Sequence, residues 1–214
     1  MNKLPTKNRG SHAFSLVEVL VAITILLLVV VTPMSIVTQA NNSTSFANEQ
    51  LIAFFLAQEG LEIVEKGRND LYLQCFWQQT NGSGGITNPM NRFRSGNTSQ
   101  NSLALCNTGD CGVQISNTGT IAPAIRCAAN NNNCRLYLHQ GNARSKYVHG
   151  GTSPGSGQSL TQYTRKVRME PSVGSNGRLQ EIKVTSTVTW RIGSLIAGQQ
   201  VQLVTYLSNI YDTN

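Results

Sequence analysis

Five cysteines, three histidines and one carboxylate set inside an apolar run are the side chains of this 214-residue sequence best placed to do chemistry. Cys106, Cys111, Cys127 and Cys134 form two close pairs in a Gly/Asn-rich region, with four residues inside the first pair and six inside the second. In an oxidising compartment, loop cysteines at such spacing read as disulfides. Four cysteines allow three pairings, so the connectivity stays open. A zinc site would want a tighter knuckle, with two residues between ligands at least once, and none is present. Disulfides are therefore favoured over metal. Cys75 is the odd one out and reads as a small buried hydrophobe.

The histidines give less. His12 lies in a basic N-terminal stretch. His139 and His149 flank a predicted hairpin and read as exposed loop histidines, because no spacing around them supports a metal site. No Ser-His-Asp signature, nucleophile elbow or phosphate loop occurs. Asn107-Thr108-Gly109-Asp110 is too short a run of oxygen ligands for a calcium loop, and no Glu follows at the closing position. The expectation is a protein that is not an enzyme and that holds no cofactor and no metal.

The carboxylate is Glu18. From Leu16 to Val37 the chain reads LVEVLVAITILLLVVVTPMSIV, about 22 almost continuously apolar residues, enough to cross a hydrocarbon core as a helix. A carboxylate at that depth needs a partner or a proton, which makes it a functional hypothesis. At the membrane interface, beside the basic leader, the same group would cost little, and its position alone does not decide between these. Lys3, Lys7 and Arg9 precede the span and no cation follows it closely. The positive-inside rule therefore puts the N-terminus in the cytoplasm and the rest of the chain outside. An ordinary secretory signal is disfavoured, since its apolar region runs about 7–15 residues and lacks Glu. Pro33 removes a backbone donor inside the span and is expected to loosen the helix there.

Behind these residues stand the elements that must position them. From Asn48 to Arg68, Leu51, Ile52, Phe55, Leu56, Ile63 and Val64 recur at spacings of three and four, with Glu49, Glu59, Glu62 and Glu65 mostly between or opposite them. That period predicts an amphipathic helix. Asn41-Asn42-Ser43-Thr44-Ser45 is a weaker helix former and is expected to be a joint. Gly67 reads as the terminator. Residues 71–157 are the least regular, with short strands expected at Leu136-Tyr137-Leu138 and Tyr147-Val148 around a QGNARS loop. Tyr163–Met169 is a strand candidate. In Leu179–Ile192, Ile182, Val184, Ser186, Val188, Trp190 and Ile192 share one face, and Gln200–Tyr211 alternates again. These predict an antiparallel meander with one apolar face. The simplest architecture is α+β: a long N-terminal helix, transmembrane in its first half and amphipathic in its second, packed on a C-terminal antiparallel β-sheet. The divisions are 1–13 leader, 14–38 transmembrane helix, 39–68 amphipathic continuation and 69–214 extracytoplasmic β-rich head.

The net charge of +7 does not point to nucleic acid. Three of the 17 basic residues sit in the leader, leaving 14 against 10 acidic ones, a mild and scattered excess rather than a dense basic face. Tyr163, Trp190, Tyr206 and Tyr211 with Lys166, Arg168 and Arg191 could form a basic-aromatic surface, but strand-face aromatics packing on the helix is the favoured reading. Charged residues are only 13% of the chain, which suits a secreted β-rich surface better than a cytosolic enzyme.

The run Ala13-Phe14-Ser15-Leu16-Val17-Glu18 at the head of an apolar helix resembles the type IV prepilin leader motif, in which a small residue precedes Phe and a Glu stands at the fifth mature position. The departure is Ala13, where Gly is commonest. The resemblance implies cleavage between Ala13 and Phe14 by a prepilin peptidase, N-methylation of the Phe14 amine, and pairing of Glu18 with the terminal amine of a neighbouring subunit. It also implies a helix that loosens near Pro33. The partners implied are other pilin-like subunits, the peptidase, an inner-membrane assembly platform and the lipid bilayer, with weak DNA or surface binding left open. The place implied is the bacterial inner membrane, single-pass, and then a cell-surface or periplasmic filament. The expected role is a minor pilin or pseudopilin of a type IV pilus or type II secretion-like filament. The alternative is a membrane-anchored adhesin or DNA-binding module that borrows the leader.

Overall fold

The computed structural model describes residues 15–80, 89–95, 102–127, 132–141, 145–150, 155–175, 177–191 and 198–209. Two compact units divide the chain between Ala47 and Asn48. Helix α1 (Leu16–Thr80) contributes to both.

In the first unit α1 is helical without interruption across Pro33 and across the Asn41–Ser45 stretch expected to be a joint. Local side-chain bonds accompany this: Thr38 Oγ1 donates to the Met34 carbonyl at 2.9 Å and Thr44 Oγ1 to that of Ala40 at 3.0 Å. These hydroxyls find their partners within the helix and make no demand on other groups.

The second unit is an α+β head. Helix α1 enters it at Asn48 and does not stop at Gly67. It runs to Thr80, because Gly67 is pressed against neighbours rather than turning the chain. A Cβ there would lie 2.8 Å from Ile121 and 2.9 Å from Leu103. Leu71 and Cys75, both buried, continue the packed stripe beyond it. The stripe is also rotated from the expected one. The fully covered positions are Ala53, Leu56, Ala57, Ile63 and Val64, while Leu51, Ile52 and Phe55 remain exposed. Small residues at 53, 57 and 60 let the helix axis approach the sheet, so those positions face it and the bulky side chains are turned away.

The irregular region contains more helix than its composition suggested. Short α2 (Pro89–Ser95) opens on a proline whose missing N–H costs nothing at that position, and it buries Met90 and Phe93. Full burial of each such side chain contributes about 1.5–3 kcal/mol. A 3-10 turn at Ser102–Ala104 and α3 (Leu105–Thr108) follow.

Among the described residues the sheet has seven antiparallel strands: β1 (Cys111–Gly112), β2 (Ile125–Arg126), β3 (Arg135–Gln140), β4 (Ser145–His149), β5 (Gln158–Val173), β6 (Leu179–Trp190) and β7 (Gln199–Ser208). β5 is the spine. Val167 pairs with Cys111 of β1 and with Ser186 of β6, and Thr164 pairs with Arg135 of β3 and with Thr189 of β6. β6 therefore lies along one edge of β5, and β3 and β1 share the other. Pro171 falls where β5 pairs only with β6 among the described residues, an edge setting of the kind in which strand prolines occur. The expected β3–β4 hairpin is present, with Leu138 opposite Tyr147. From Glu181 to Trp190 burial alternates strictly along β6, with Ile182, Val184, Ser186, Val188 and Trp190 inward. Ile192 and Tyr211 lie outside the described residues.

Two apolar clusters join helix to sheet. The larger gathers Ile63, Val64 and Leu71 with Phe93, Leu103, Met169 and Ile182. The second gathers Ala53, Leu56 and Ala57 with Leu136, Tyr163, Val188 and Trp190.

Candidate functional site

The site begins where the described chain begins. Ser15 leads into α1, and its carbonyl accepts from the backbone N–H of Glu18 at 3.0 Å and of Val19 at 3.2 Å, so Glu18 sits in the first helical turn. Ala13 and Phe14, the expected cleavage and methylation positions, lie outside the described residues, as does His12. Between Val19 and Val37 the helix is apolar on nearly every side, and Val17, Leu20, Ile25, Leu28 and Ile36 are all exposed. Its most apolar stretch has a mean hydropathy of 2.8, which fits a bilayer crossing by length and composition. A helix apolar all round needs lipid or other helices around it, since water leaves that surface unsatisfied.

The head presents a second arrangement of charge, built around a buried arginine that no motif in the sequence marks. Arg165 on β5 is fully buried. Its guanidinium donates to Glu59 Oε2 at 2.6 Å and to the carbonyls of Leu56 at 3.1 Å and Val113 at 2.7 Å. It thus ties α1 to the sheet and to the segment after β1. Burial lowers the Arg165 pKa, and the Glu59 carboxylate opposes that shift. The signal was present in sequence: Arg165 has the parity of Tyr163, Val167 and Met169, the inward face of β5. Gly60 lies over this seam. A Cβ there would stand 2.6 Å from Ser186 Oγ and 3.2 Å from Arg165 Cδ.

The remaining candidates resolve as follows. Cys106 is bonded to Cys111 and Cys127 to Cys134, so each close pair closes on itself. Cys75 is a free, buried thiol whose pKa burial pushes up, partly offset by the Arg92 charge. His149 is not an exposed loop residue. It ends β4, is buried, and packs over Gly112, where a Cβ would come within 3.0 Å of the ring. Burial, and then the Arg165 charge, push its pKa down to about 3. His139 pairs with Lys146 and His149 with Leu136, so the two histidines sit at opposite ends of the hairpin. The basic-aromatic set divides as well. Tyr163 and Trp190 are in the core, whereas Tyr206, Lys166 and Arg168 face away from α1.

With this geometry described, comparison with known proteins adds one match: the prokaryotic N-terminal methylation motif, at residues 8–32. The chain carries the type IV prepilin signature. The matched residues include Glu18 and the first half of the exposed apolar helix, so the motif and the span coincide in this pilin-like chain. No curated protein and no solved structure gives a significant match.

Proposed function

We propose that this pilin-like chain is a structural subunit, a minor pilin or pseudopilin, of a type IV pilus or type II secretion-like filament. Prepilin peptidase cuts between Ala13 and Phe14 on the cytoplasmic side and methylates the new Phe14 amine. The chain rests in the inner membrane with its head outside, then leaves the bilayer through an assembly platform and packs among other pilin-like subunits by its N-terminal helix. It performs no catalysis.

The observation that carries the reading is the motif at residues 8–32 laid over a helix whose apolar surface nothing among the described residues covers. Glu18 would be the registering group. A carboxylate carried into an apolar medium is costly alone, and so is an ammonium. Placed together they resolve each other's desolvation, whereas a misplaced subunit leaves both unpaired. Pro33 would let the helix loosen during extraction, since it already withholds one backbone bond. The exposed row of Leu51, Ile52, Phe54 and Phe55 extends the apolar contact surface past the span.

Two measurements test this. Mass spectrometry of the membrane-extracted protein should show a chain starting at N-methylated Phe14; an intact leader in assembled protein would overturn the processing claim. Glu18→Ala should insert in the membrane normally yet be missing from sheared filaments, and normal incorporation would remove the registering role.

A further inference from the structure

The sheet face turned away from α1 carries a trough of about 330 Å³, within the size range of small-ligand sites. Its floor is Thr185, Thr187 and Thr189 on β6 beside Gln200 and Gln202 on β7. The ladder aligns these in rows: Lys166, Thr187 and Gln202 stand abreast, as do Glu170, Lys183 and Tyr206. One wall is Asp110. That residue lies inside the loop closed by the Cys106–Cys111 disulfide and reaches Lys166 at 3.5 Å and Arg168 at 3.7 Å. Glu170 takes up Arg168 at 3.6 Å and Lys183 at 3.1 Å.

We infer that this trough binds a neutral, polyhydroxylated ligand, an oligosaccharide. Every residue that lines it carries a hydroxyl, an amide or a charge, so a wholly apolar ligand would leave these groups without partners. Each of its three cations already contacts a carboxylate, so a polyanion would have to displace Asp110 and Glu170. An uncharged sugar meets no such conflict: its hydroxyls donate to the carboxylates and accept from the cations and amides together. Thr185 to Thr189 spans roughly 13 Å at the strand rise, which suits a chain of sugars over a single one. The Tyr206 ring, 57% exposed in the row with Lys183, offers a flat apolar face at one end for sugar C–H groups. The site is rigid before binding, because its floor is paired strand and its wall is tied by a disulfide, which lowers the ordering cost.

The inference does not depend on processing or polymerisation, so its failure and theirs are separable. The test is direct binding to the full chain, purified in a detergent without a sugar headgroup. Neutral hexasaccharides of glucose, mannose and N-acetylglucosamine serve as probes beside double-stranded DNA and heparin. At least one neutral probe should bind with little salt dependence, and Thr187→Val with Gln202→Leu should weaken it roughly tenfold. Asp110→Asn should weaken it too, which keeps the test informative if the double variant misfolds. Retention of no neutral probe, salt-sensitive binding of DNA or heparin alone, or full affinity in folded variants would each overturn the inference.

Discussion

The Arg165 guanidinium, at 0% exposure, meets the Glu59 carboxylate, at 43%, across 2.6 Å between β5 and α1. The asymmetry decides the energetics. Glu59 keeps part of its hydration, while Arg165 has given up all of its own and depends on Glu59 and on two carbonyls.

Removing Arg165 should therefore cost more than removing Glu59. Arg165→Met removes the donor shared by the Glu59 carboxylate and the Leu56 and Val113 carbonyls and should cost about 3 kcal/mol or more. Glu59→Gln keeps a hydrogen-bond acceptor and should cost about 1–2 kcal/mol. Lys183→Gln, at an exposed pair with Glu170, should stay within about 0.5 kcal/mol. Denaturant titration of the head reads all three, and an Arg165→Met protein as stable as the parent would contradict this account.

Gly60→Ala reverses a general expectation. In an open helix the change would add about 0.5–1 kcal/mol of stability. Here the new Cβ meets Ser186 Oγ at 2.6 Å, so the helix should be lifted from the sheet at a cost of about 1–3 kcal/mol. Ser186→Ala in the same chain should recover much of that cost, and the double-mutant cycle gives the coupling. Strict additivity of the two changes would show that the contact is not felt.

Acid should weaken the head through His149. Its folded pKa of about 3 lies below the ordinary 6.5, so between these values the unfolded chain binds the proton and the folded chain does not. Stability is complete above about pH 6.5 and falls as pH drops, by at most about 1.4 kcal/mol per pH unit from this group. The loss from pH 6.5 to pH 5 should approach about 2 kcal/mol and shrink in a folded His149→Gln variant. An unchanged slope in that variant would assign the acid sensitivity elsewhere.

The thiol chemistry is testable by mapping. Non-reducing digestion should return Cys106 linked to Cys111 and Cys127 to Cys134, with Cys75 alkylated only after unfolding. Replacing Cys106 and Cys111 by Ser should cost about 2 kcal/mol, a modest value because the closed loop is short. Cross-linked pairs in any other combination would refute the assignment.

Much of this was legible in the chain itself. The regular alternation of β6 fixed its inward face because a period of two leaves one solution once Val184, Val188 and Trp190 must be covered. The span and Glu18 stand out because nothing else in the sequence is so apolar or so out of place. What stayed hidden has a common cause. Ala53, Ala57 and Gly60 look featureless beside Leu51 and Phe55, yet close approach to a sheet selects for small side chains, so Leu51, Ile52 and Phe55 were put on the wrong face while Leu56, Ile63 and Val64 were placed correctly. Arg165 drew no notice within the Tyr163–Met169 strand candidate, although its strand parity puts it indoors. Gly67 was read as a stop because local propensity cannot register a neighbour pressed against the helix. The outward trough was invisible for a simpler reason: Asp110 and Gln202 are far apart in sequence and line one trough only through strand pairing.

The uncovered apolar stretch of α1 also shapes how the chain will melt. Inside a micelle, a helix cannot trade its backbone bonds for water, so urea that dissolves the head should leave those turns intact. The circular dichroism of the denatured plateau will then retain a helical remainder. Stability of the head should accordingly be read from a probe confined to it, such as the fluorescence of the buried Trp190.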